Sequence, residues 1–299
     1  MYTNLYRGCK WLIEQFKKHH YLSLRDINEN WKADTDMSGG MEMLRKTFQR
    51  YKTALKESFG VEICCKEGGS YAYYIKNPEI LHDIGLADWM LNTLAMDEKL
   101  RDCKSLRDRI VLENIPSGGR KLDSITNAML KDCKLRFNYR VYGSCEMNER
   151  IVEPYGLMLY HQRWYLLARF GGDKTYTFGL DRIKSPKVTS ENFSIDPSFN
   201  AKDYFEEFYG LYNSGKDKVQ IVLRAFKDEG YYLRDLPIHK SQKEIGCGDG
   251  YVDFMIEVRP NNELVGYILS RGDRLKVLSP PSFVEEIKMT LDRMRNNYM

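Results

Sequence analysis

The sequence predicts an α+β protein built from several domains. Three observations support this fold class: helix-period segments up to about residue 59, short alternating strands over residues 134–190, and alternating strands and helices from residue 218 onward. At 299 residues the chain also exceeds the usual size of one domain. We therefore expect several small modules, each with its own core.

Composition limits the class of protein. Hydrophobic residues are 42% and charged residues 29%, which excludes a wholly disordered chain. No apolar run approaches the roughly 18 residues of a membrane span, and the start lacks the apolar core of a signal peptide. Seven irregularly spaced cysteines fit free thiols in a reducing compartment. We expect a cytoplasmic protein without a membrane partner.

Positive charge is concentrated in two regions, although the net charge is only +4. Residues 1–77 hold thirteen Lys and Arg against nine Asp and Glu, a balance of +4. Residues 130–187 hold eleven against six, a balance of +5. These two regions are therefore the candidates for contact with a polyanion.

The first 77 residues begin with three segments of helical period. Leu5 to Lys18 has the spacing of one apolar helix face. Ser23 stands where a cap would precede a short second helix. After the breaker DMSGG, a long third helix places on one face Leu44, Phe48, Tyr51, Leu55 and Phe59.

Two strand-like runs around a turn at Gly68-Gly69 follow the third helix, so the order is helix, helix, helix, hairpin. This order is typical of a winged helix-turn-helix, whose last helix enters the major groove. Arg and Gln can pair with base edges there, and Lys can neutralise phosphates. We expect operator DNA, double-stranded, to contact Arg45, Lys46, Gln49 and Arg50 of the helix and Lys66 of the wing. The alternative is a merely solvated helix face.

Residues 79–134 show helical segments with a surplus of Leu, Met and Trp. Such a segment often packs against a second copy, and a helix-turn-helix protein usually needs two copies for two half-sites. We expect a homodimer. The loop PSGGRK, Pro116 to Lys121, resembles a phosphate loop in composition but lacks the G-x-x-x-x-G-K-[ST] spacing, so we interpret it as a plain connection.

Short alternating runs over residues 134–190 predict a small, strongly curved antiparallel sheet or barrel. In RWYLLARF, Trp164, Leu166 and Ala168 share one face. The other face holds Arg163, Tyr165, Leu167 and Arg169. With Arg182, three arginines lie in the best sheet-forming stretch, His161 to Ile183.

The triplet Trp164-Tyr165-Leu166 resembles the one that names the WYL-domain family. Its surroundings match: Arg150 stands four residues before Pro154, then PYGL follows, and LDRI ends at Ile183. The carboxy-terminal WCX extension of these regulators is similar to two later stretches, PIHKSQKEI and VDFMIEVRPNNELVGYILSRGDRLKVLSPPSFVEEI. Their winged-helix segment is similar to RKTFQR. The resemblance covers nearly the whole chain.

The resemblance implies a bacterial transcriptional regulator in which a small SH3-like barrel senses an effector, a nucleotide or single-stranded nucleic acid, and changes DNA affinity. It implies an effector pocket formed by Tyr139, Arg150, Arg163, Tyr165 and Arg182, with Trp164 assigned to the core by strand alternation. Guanidinium groups bind phosphates bidentately and tyrosine rings stack with bases. One position departs from the family, because many members carry a further Arg where this chain has Gly179.

Each arginine also has an ordinary alternative. Arg182 could form a salt bridge with Asp181 or another carboxylate. Arg163 and Arg169 could belong to a solvated sheet face.

Residues 218–299 alternate strand and helix patterns and fit a small α+β sandwich, which we predict to be a ferredoxin-like α/β domain. Asn261 or Asn262 caps one helix, and Gly272 ends it. The resemblance implies that this module reaches across the dimer to the partner's sensor domain. His239 in IHKSQ is interpreted as structural, because no Ser, Cys or carboxylate stands at a recognisable catalytic spacing.

These observations predict five segments. They are a winged helix-turn-helix (1–77), a helical linker and dimerisation region (78–133), the effector-sensing WYL domain (134–195), a linker (196–217) and a WCX-like domain (218–299).

Enzyme signatures are missing from the sequence. It contains no H-E-x-x-H, no paired C-x-x-C, no G-x-S-x-G and no G-x-G-x-x-G after a strand. We expect no metal, no cofactor and no catalysis. Two hypotheses remain: an effector-responsive DNA-binding regulator, and a nucleic-acid-processing enzyme or accessory factor that uses the same basic barrel.

Overall fold

The computed structural model describes residues 5–66, 71–82, 86–102, 119–143 and 146–299. The chain divides into two compact units, Met1–Glu113 and Asn114–Met299. Helices and antiparallel sheets occur in both units, which confirms the predicted α+β class. Among the described residues, no helix is both long and apolar enough to cross a membrane.

The first unit contains helices of 4 to 17 residues and one small sheet. Its elements are α1 (Leu5–Lys18), β1 (Leu22–Ser23), α2 (Leu24–Ala33), α3 (Thr35–Ser38), α4 (Arg45–Phe59), β2 (Ile63–Cys65), β3 (Ala72–Ile75), α5 (Glu79–His82) and α6 (Leu86–Asp102). The three strands are ordered β1-β3-β2 and pair antiparallel. The predicted turn at Gly68-Gly69 lies outside the described residues.

The helix boundaries follow local chemistry. Ser23 caps α2 as predicted, and Asp26 completes a capping box, because each side chain accepts from the other residue's backbone N–H. Helix α4 ends at Gly60 in the left-handed conformation, with φ of 68°. The expectation that Leu44 lies on the buried face of this helix is wrong: Leu44 is the residue before the first turn and is 70% exposed.

The apolar faces of α1, α2 and α4 form one core. Phe48, Tyr51 and Leu55 of α4 are fully buried in it. Helix α6 packs along α1, and the Glu98 carboxylate accepts hydrogen bonds from the backbone N–H groups of Tyr6 and Arg7 at 3.0 and 3.1 Å. Glu98 therefore satisfies donors that the first turn of α1 leaves without helical partners.

The second unit begins with one helix on a five-stranded antiparallel sheet. The elements are α7 (Leu122–Leu130), β4 (Cys133–Arg140), β5 (Met147–Tyr160), β6 (Arg163–Arg169), β7 (Thr175–Gly179) and β8 (Ile183–Asn192). The strand order is β7-β6-β5-β4-β8. Ile125 and Ala128 of α7 are fully buried against this sheet, so α7 belongs to the same core.

A four-stranded sheet follows after α8 (Ala201–Phe205). Its elements are β9 (Val219–Phe226), α9 (Glu229–Asp235), β10 (Lys243–Gly248), β11 (Tyr251–Val258), α10 (Asn262–Ser270), β12 (Leu275–Ser279) and α11 (Pro281–Asn296). The strands are ordered β10-β11-β9-β12 and pair antiparallel. Asn261 caps α10, as predicted, by accepting from the N–H of Leu264 at 2.9 Å. Strand β10 was not predicted, because every residue in it is exposed and it has no apolar face.

Candidate functional site

The predicted DNA-contacting residues of α4 share one exposed flank. Arg45, Lys46, Gln49 and Arg50 are all exposed, while the opposite face of the helix is buried. The Arg50 guanidinium lies 5.6 Å from the centroid of the Tyr51 ring. This flank carries three cations and one amide and no carboxylate within those four positions.

The first turn of α4 has an unusual electrostatic character. It contains no acidic residue, begins with Arg45 and Lys46, and has no side-chain hydrogen bond at its cap. The positive end of a helix dipole is usually accompanied by an acid or a capping oxygen, as in α2 with Asp26. Two cations beside uncapped backbone N–H groups make this end a suitable place for an anion.

Lys66 directly follows β2 and is exposed. Its ammonium lies 5.6 Å from the ring centroid of Tyr21. Lys52 of α4 lies 5.2 Å from the ring centroid of Tyr73 on β3, which the sequence did not indicate. Cations on α4 and beside the hairpin are therefore anchored on aromatic rings.

The second predicted site lies where β4 and β7 end and β6 begins. Arg163 Nη2 donates to the Asp181 carboxylate and lies 3.4 Å from the Tyr142 hydroxyl. Its guanidinium is 5.9 Å from the ring centroid of Tyr165. The hydrogen bond to Tyr142 and the ion pair with Asp181 raise the pKa of Arg163 against the opposing effect of burial. Arg163 is thus a permanently charged member of a cluster.

Arg182 reaches the same cluster from the turn before β8. Its guanidinium lies 4.0 Å from the ring centroid of Tyr142 and 4.9 Å from that of Tyr139. The Tyr139 hydroxyl accepts from the backbone N–H of Gly179 at 3.2 Å, and burial raises the pKa of this tyrosine. The salt bridge between Arg182 and Asp181, which was the alternative to a pocket role, does not form, because Asp181 pairs with Arg163. Within the described part of the chain, Arg182 has no ion pair.

The structure places Arg150 apart from this cluster. Its guanidinium lies 4.9 Å from the Phe170 ring centroid, and Nη1 donates to the carbonyl of Glu149 at 3.2 Å. Edge contacts lead from Phe170 to Phe178 at 6.5 Å and from Phe178 to Tyr139 at 5.0 Å. Four of the five predicted effector residues therefore meet, and the fifth is joined to them through aromatic rings.

Arg169 is neutralised locally. Its Nε donates to Glu153 at 2.6 Å, and Nη1 lies 3.8 Å from Asp173. The guanidinium also lies 5.8 Å from the ring centroid of Tyr155. Arg169 is therefore part of a carboxylate network rather than of the Arg163 cluster.

Part of the sheet face predicted to be open is covered. Leu167, expected on that face, is fully buried. Tyr204 shares a hydrogen bond of 2.9 Å with Thr175, and the carbonyl of Leu211 accepts from Thr177 at 3.2 Å. The segment interpreted as a linker thus packs over this face, which explains the burial of Leu167. Trp164, on the opposite face, is half-buried against the core.

His239 does have a serine partner, which sequence spacing did not suggest. Its Nδ1 is 2.8 Å from Ser241 Oγ. Ser241 Oγ also accepts from the N–H of Glu257 at 2.8 Å and lies 3.3 Å from the Glu257 carbonyl. Burial lowers the pKa of His239. The Ser241 hydroxyl is already hydrogen-bonded to backbone groups of β11. The pair therefore holds the segment before β10 against the sheet. In the described residues, no group of three His, Cys, Asp or Glu could hold a metal ion.

Comparisons with known proteins identify two domains in the second unit. The WYL domain model matches residues 120–188, and the WCX domain model matches residues 217–295. The first match begins at α7 rather than at β4, in agreement with the packing of α7 on the sheet. No curated protein matches the chain.

Two solved structures are similar to the chain. One is the proteasome accessory factor B/C (PafBC) of Arthrobacter aurescens, with 23% identity, a TM-score of 0.32, and coverage of 81% of this chain and 39% of that chain. The chain thus spans about two fifths of that protein. The other is a CRISPR Cas-related protein, with 11% identity, a TM-score of 0.38, and coverage of 86% and 74%.

Proposed function

The chain belongs to the WYL-domain family, with a WYL domain followed by a WCX domain, and on that premise we propose that it is a DNA-binding transcriptional regulator. The first unit is a winged helix-turn-helix that binds operator DNA. The WYL domain binds a nucleotide or single-stranded nucleic-acid effector that changes DNA affinity. The observation that carries the proposal is the cationic, exposed flank of α4. This flank begins in the first turn of the helix, which has no side-chain cap.

The shape of α4 supports the DNA-binding half. Arg45 and Gln49 are four residues apart, and Arg50 follows, so the three side chains span about 8 Å of one helix flank. A flank of this length reaches two or three base pairs in a major groove, where Arg pairs with guanine and Gln with adenine. Lys46 and Lys66 supply charges for phosphates on either side.

The unfavourable electrostatic energy of the first turn of α4 also supports DNA binding. Cations in a first turn oppose the helix dipole, typically by some tenths of a kcal/mol each. A solvated face would not need them there, because Lys and Arg are favoured at the other end of a helix. A DNA phosphate beside Arg45 and Lys46 would turn this unfavourable arrangement into a favourable one.

The cluster around Arg182 supports the effector half. Its guanidinium has no carboxylate partner among the described residues and lies over two tyrosine rings, one of which, Tyr142, is 66% exposed. A phosphate could bind the guanidinium while a base stacks on the exposed ring. Arg163 and Tyr165 border the same place.

Several finer features belong to the proposal. The strand order β10-β11-β9-β12, with helices after β9 and β11, supports a ferredoxin-like WCX domain. The five-stranded antiparallel sheet, ordered β7-β6-β5-β4-β8, supports an SH3-like barrel. We propose that the protein acts as a homodimer on two half-sites and returns its effector chemically unchanged. The helices proposed for the dimer contact lie partly outside the described residues.

The experiment measures binding to the DNA upstream of the protein's own gene across a range of salt concentrations. R45A/Q49A/R50A should weaken binding at least tenfold and lower its salt dependence, because the variant removes two cations from the flank that faces the DNA. K288A/R293A, which removes the same charge from the exposed side of α11, should leave both quantities unchanged. If the α4 variant binds this DNA with the same affinity and the same salt dependence as the unaltered protein, the DNA-binding proposal is contradicted.

The effector half is tested in the same assay with added nucleotides and short single strands. R182A should abolish the response and keep basal DNA binding. R169A is the control, because that arginine is already neutralised by Glu153. Mass spectrometry of the recovered nucleotides separates the hypotheses, since an enzyme would convert them and a regulator would not.

A further inference from the structure

The Asp181 carboxylate is withdrawn from water and is only partly satisfied. Its side chain is 16% exposed, and that of Arg163 is 28% exposed. One carboxylate oxygen, Oδ2, accepts from Arg163, while Oδ1 is buried without a hydrogen-bond partner in the described residues. A carboxylate usually accepts several hydrogen bonds, so an unmet oxygen costs free energy.

Two arginine nitrogens near Asp181 are also buried without a hydrogen-bond partner in the described residues. They are Nε of Arg163 and Nε of Arg182. Both are N–H groups of cations, which bind an anionic oxygen most strongly. The cluster therefore contains two buried cationic N–H donors that its single carboxylate does not satisfy.

Gly179 gives the Asp181 side chain its position. A Cβ atom at residue 179 would lie 2.8 Å from Asp181 Oδ1 and 3.3 Å from Nε and Nη2 of Arg182. Gly179 has φ of −66°, which any residue can adopt, so its lack of a side chain is what matters. The carboxylate rests in space that a side chain at this position would fill.

We propose that Asp181 is an internal counter-ion that occupies the anion position of Arg163, and that an anionic effector binds by displacing it. This inference rests on the proposed function, because it concerns the same pocket. With Asp181 in place, the group of Arg163, Arg182 and Asp181 carries a single positive charge. Once the carboxylate moves away, both guanidinium groups face the incoming anion.

Displacement determines which ligands bind. Asp181 is tethered close to Arg163 and competes at a high effective concentration. A simple carboxylate offers Arg163 nothing more than Asp181 already does. A phosphate monoester carries more charge and three acceptor oxygens, so it can bind both arginines while its base stacks on Tyr142. Asp181 therefore selects phosphorylated, ring-bearing ligands over weak monoanions.

A structural role for Asp181 predicts the opposite result. If the carboxylate serves to hold Arg163 in place, its removal should loosen the pocket and weaken the binding of any anion. If it is a competitor, removal should strengthen that binding. D181N has nearly the same shape and keeps an oxygen that can accept from Arg163, so it removes the charge with little change in packing.

The experiment is calorimetric titration of the full-length protein with adenosine 5′-monophosphate and, separately, with acetate. D181N should bind the nucleotide at least tenfold more tightly than the unaltered protein, and its preference for the nucleotide over acetate should shrink. D173N is the matched control, because it removes a fully exposed carboxylate from the turn between β6 and β7. It should bind like the unaltered protein.

G179A is the second variant, since its added methyl group must push Asp181 Oδ1 aside and should also tighten nucleotide binding. Thermal unfolding shows whether D181N folds. If D181N does not fold, G179A still tests the displacement of Asp181. Equal or weaker nucleotide binding in the folded variants would overturn the proposal, as would no binding in any variant. DNA affinity measured without nucleotide in the same preparations distinguishes this failure from failure of the proposed function.

Discussion

Arg271 places two guanidinium nitrogens on the carboxylate of Glu229, at 2.6 and 2.8 Å, and that carboxylate is only 1% exposed. Glu229 begins α9, and Arg271 directly follows α10. The same guanidinium lies 4.4 Å from the Tyr232 ring centroid. One ion pair with a buried carboxylate therefore ties two helices of the WCX domain together.

Removal of Arg271 should destabilise the WCX domain strongly. R271A leaves the Glu229 carboxylate buried with just the more distant Arg274, at 3.9 Å, so we expect a loss of about 3 kcal/mol in the free energy of unfolding. Urea denaturation of the full-length protein measures it. R234A is the control: Arg234 binds Glu244 with the same two-nitrogen geometry, but both side chains are about 40% exposed. It should change stability little. Equal losses in both variants would contradict the role of burial.

A methyl group at position 8 should destabilise the first unit. Helix α1 passes so close to Tyr51 that a Cβ atom on Gly8 would lie 2.1 to 2.6 Å from the tyrosine ring. Because Tyr51 is fully buried, the ring has little room to move, and we expect G8A to cost about 1–3 kcal/mol. Differential scanning calorimetry measures the change. G266A in α10, where nothing lies within 4 Å, should be neutral or slightly stabilising. A neutral G8A would show that the α1–α4 contact can relax.

Asp253 should contribute to the acid sensitivity of the WCX domain. Both of its carboxylate oxygens bind Arg224 at 2.8 Å, and this pairing lowers its pKa below the ordinary 3.8. The unfolded chain therefore takes up this proton first as pH falls. The stabilisation is fully present above pH 3.8 and disappears as pH drops through the lower folded value.

D253N tests this pH dependence. The stability difference between the unaltered protein and D253N should be constant from about pH 5 to 7 and narrow below pH 4. Urea unfolding at each pH measures the difference. D249N, which removes an exposed carboxylate from the neighbouring turn, should not reproduce the narrowing. A stability difference that stays constant down to pH 3 would contradict the role of the Asp253–Arg224 pair.

Local sequence patterns predicted features that depend on neighbouring residues. The span of α1, the Ser23 cap of α2 and the Asn261 cap of α10 were all confirmed, because caps and apolar periodicity act over a few positions along the chain. The predicted α+β class was confirmed for the same reason. The effector and DNA contacts remain predictions, since they concern molecules other than this chain.

Contacts between distant residues could not be read from the sequence. Leu167 alternates with buried neighbours, yet it too is buried, because residues far along the chain cover its face. The pairing of Asp181 with Arg163 rather than with adjacent Arg182 is another case. Adjacent residues rarely face each other, whereas Arg163 is brought to Asp181 by the pairing of β6 with β7.

The sequence by itself determined most of the helices and strands, although not β10, together with the Ser23 and Asn261 caps, the cationic flank of α4 and the WYL and WCX domains. Tertiary structure decided which charges remain available to a ligand. It neutralised Arg169 with Glu153, paired Arg163 with Asp181 and left Arg182 over two tyrosine rings. The physical reason is that a charge is set by its neighbours in space, and strand pairing chooses those neighbours from positions far apart in the chain.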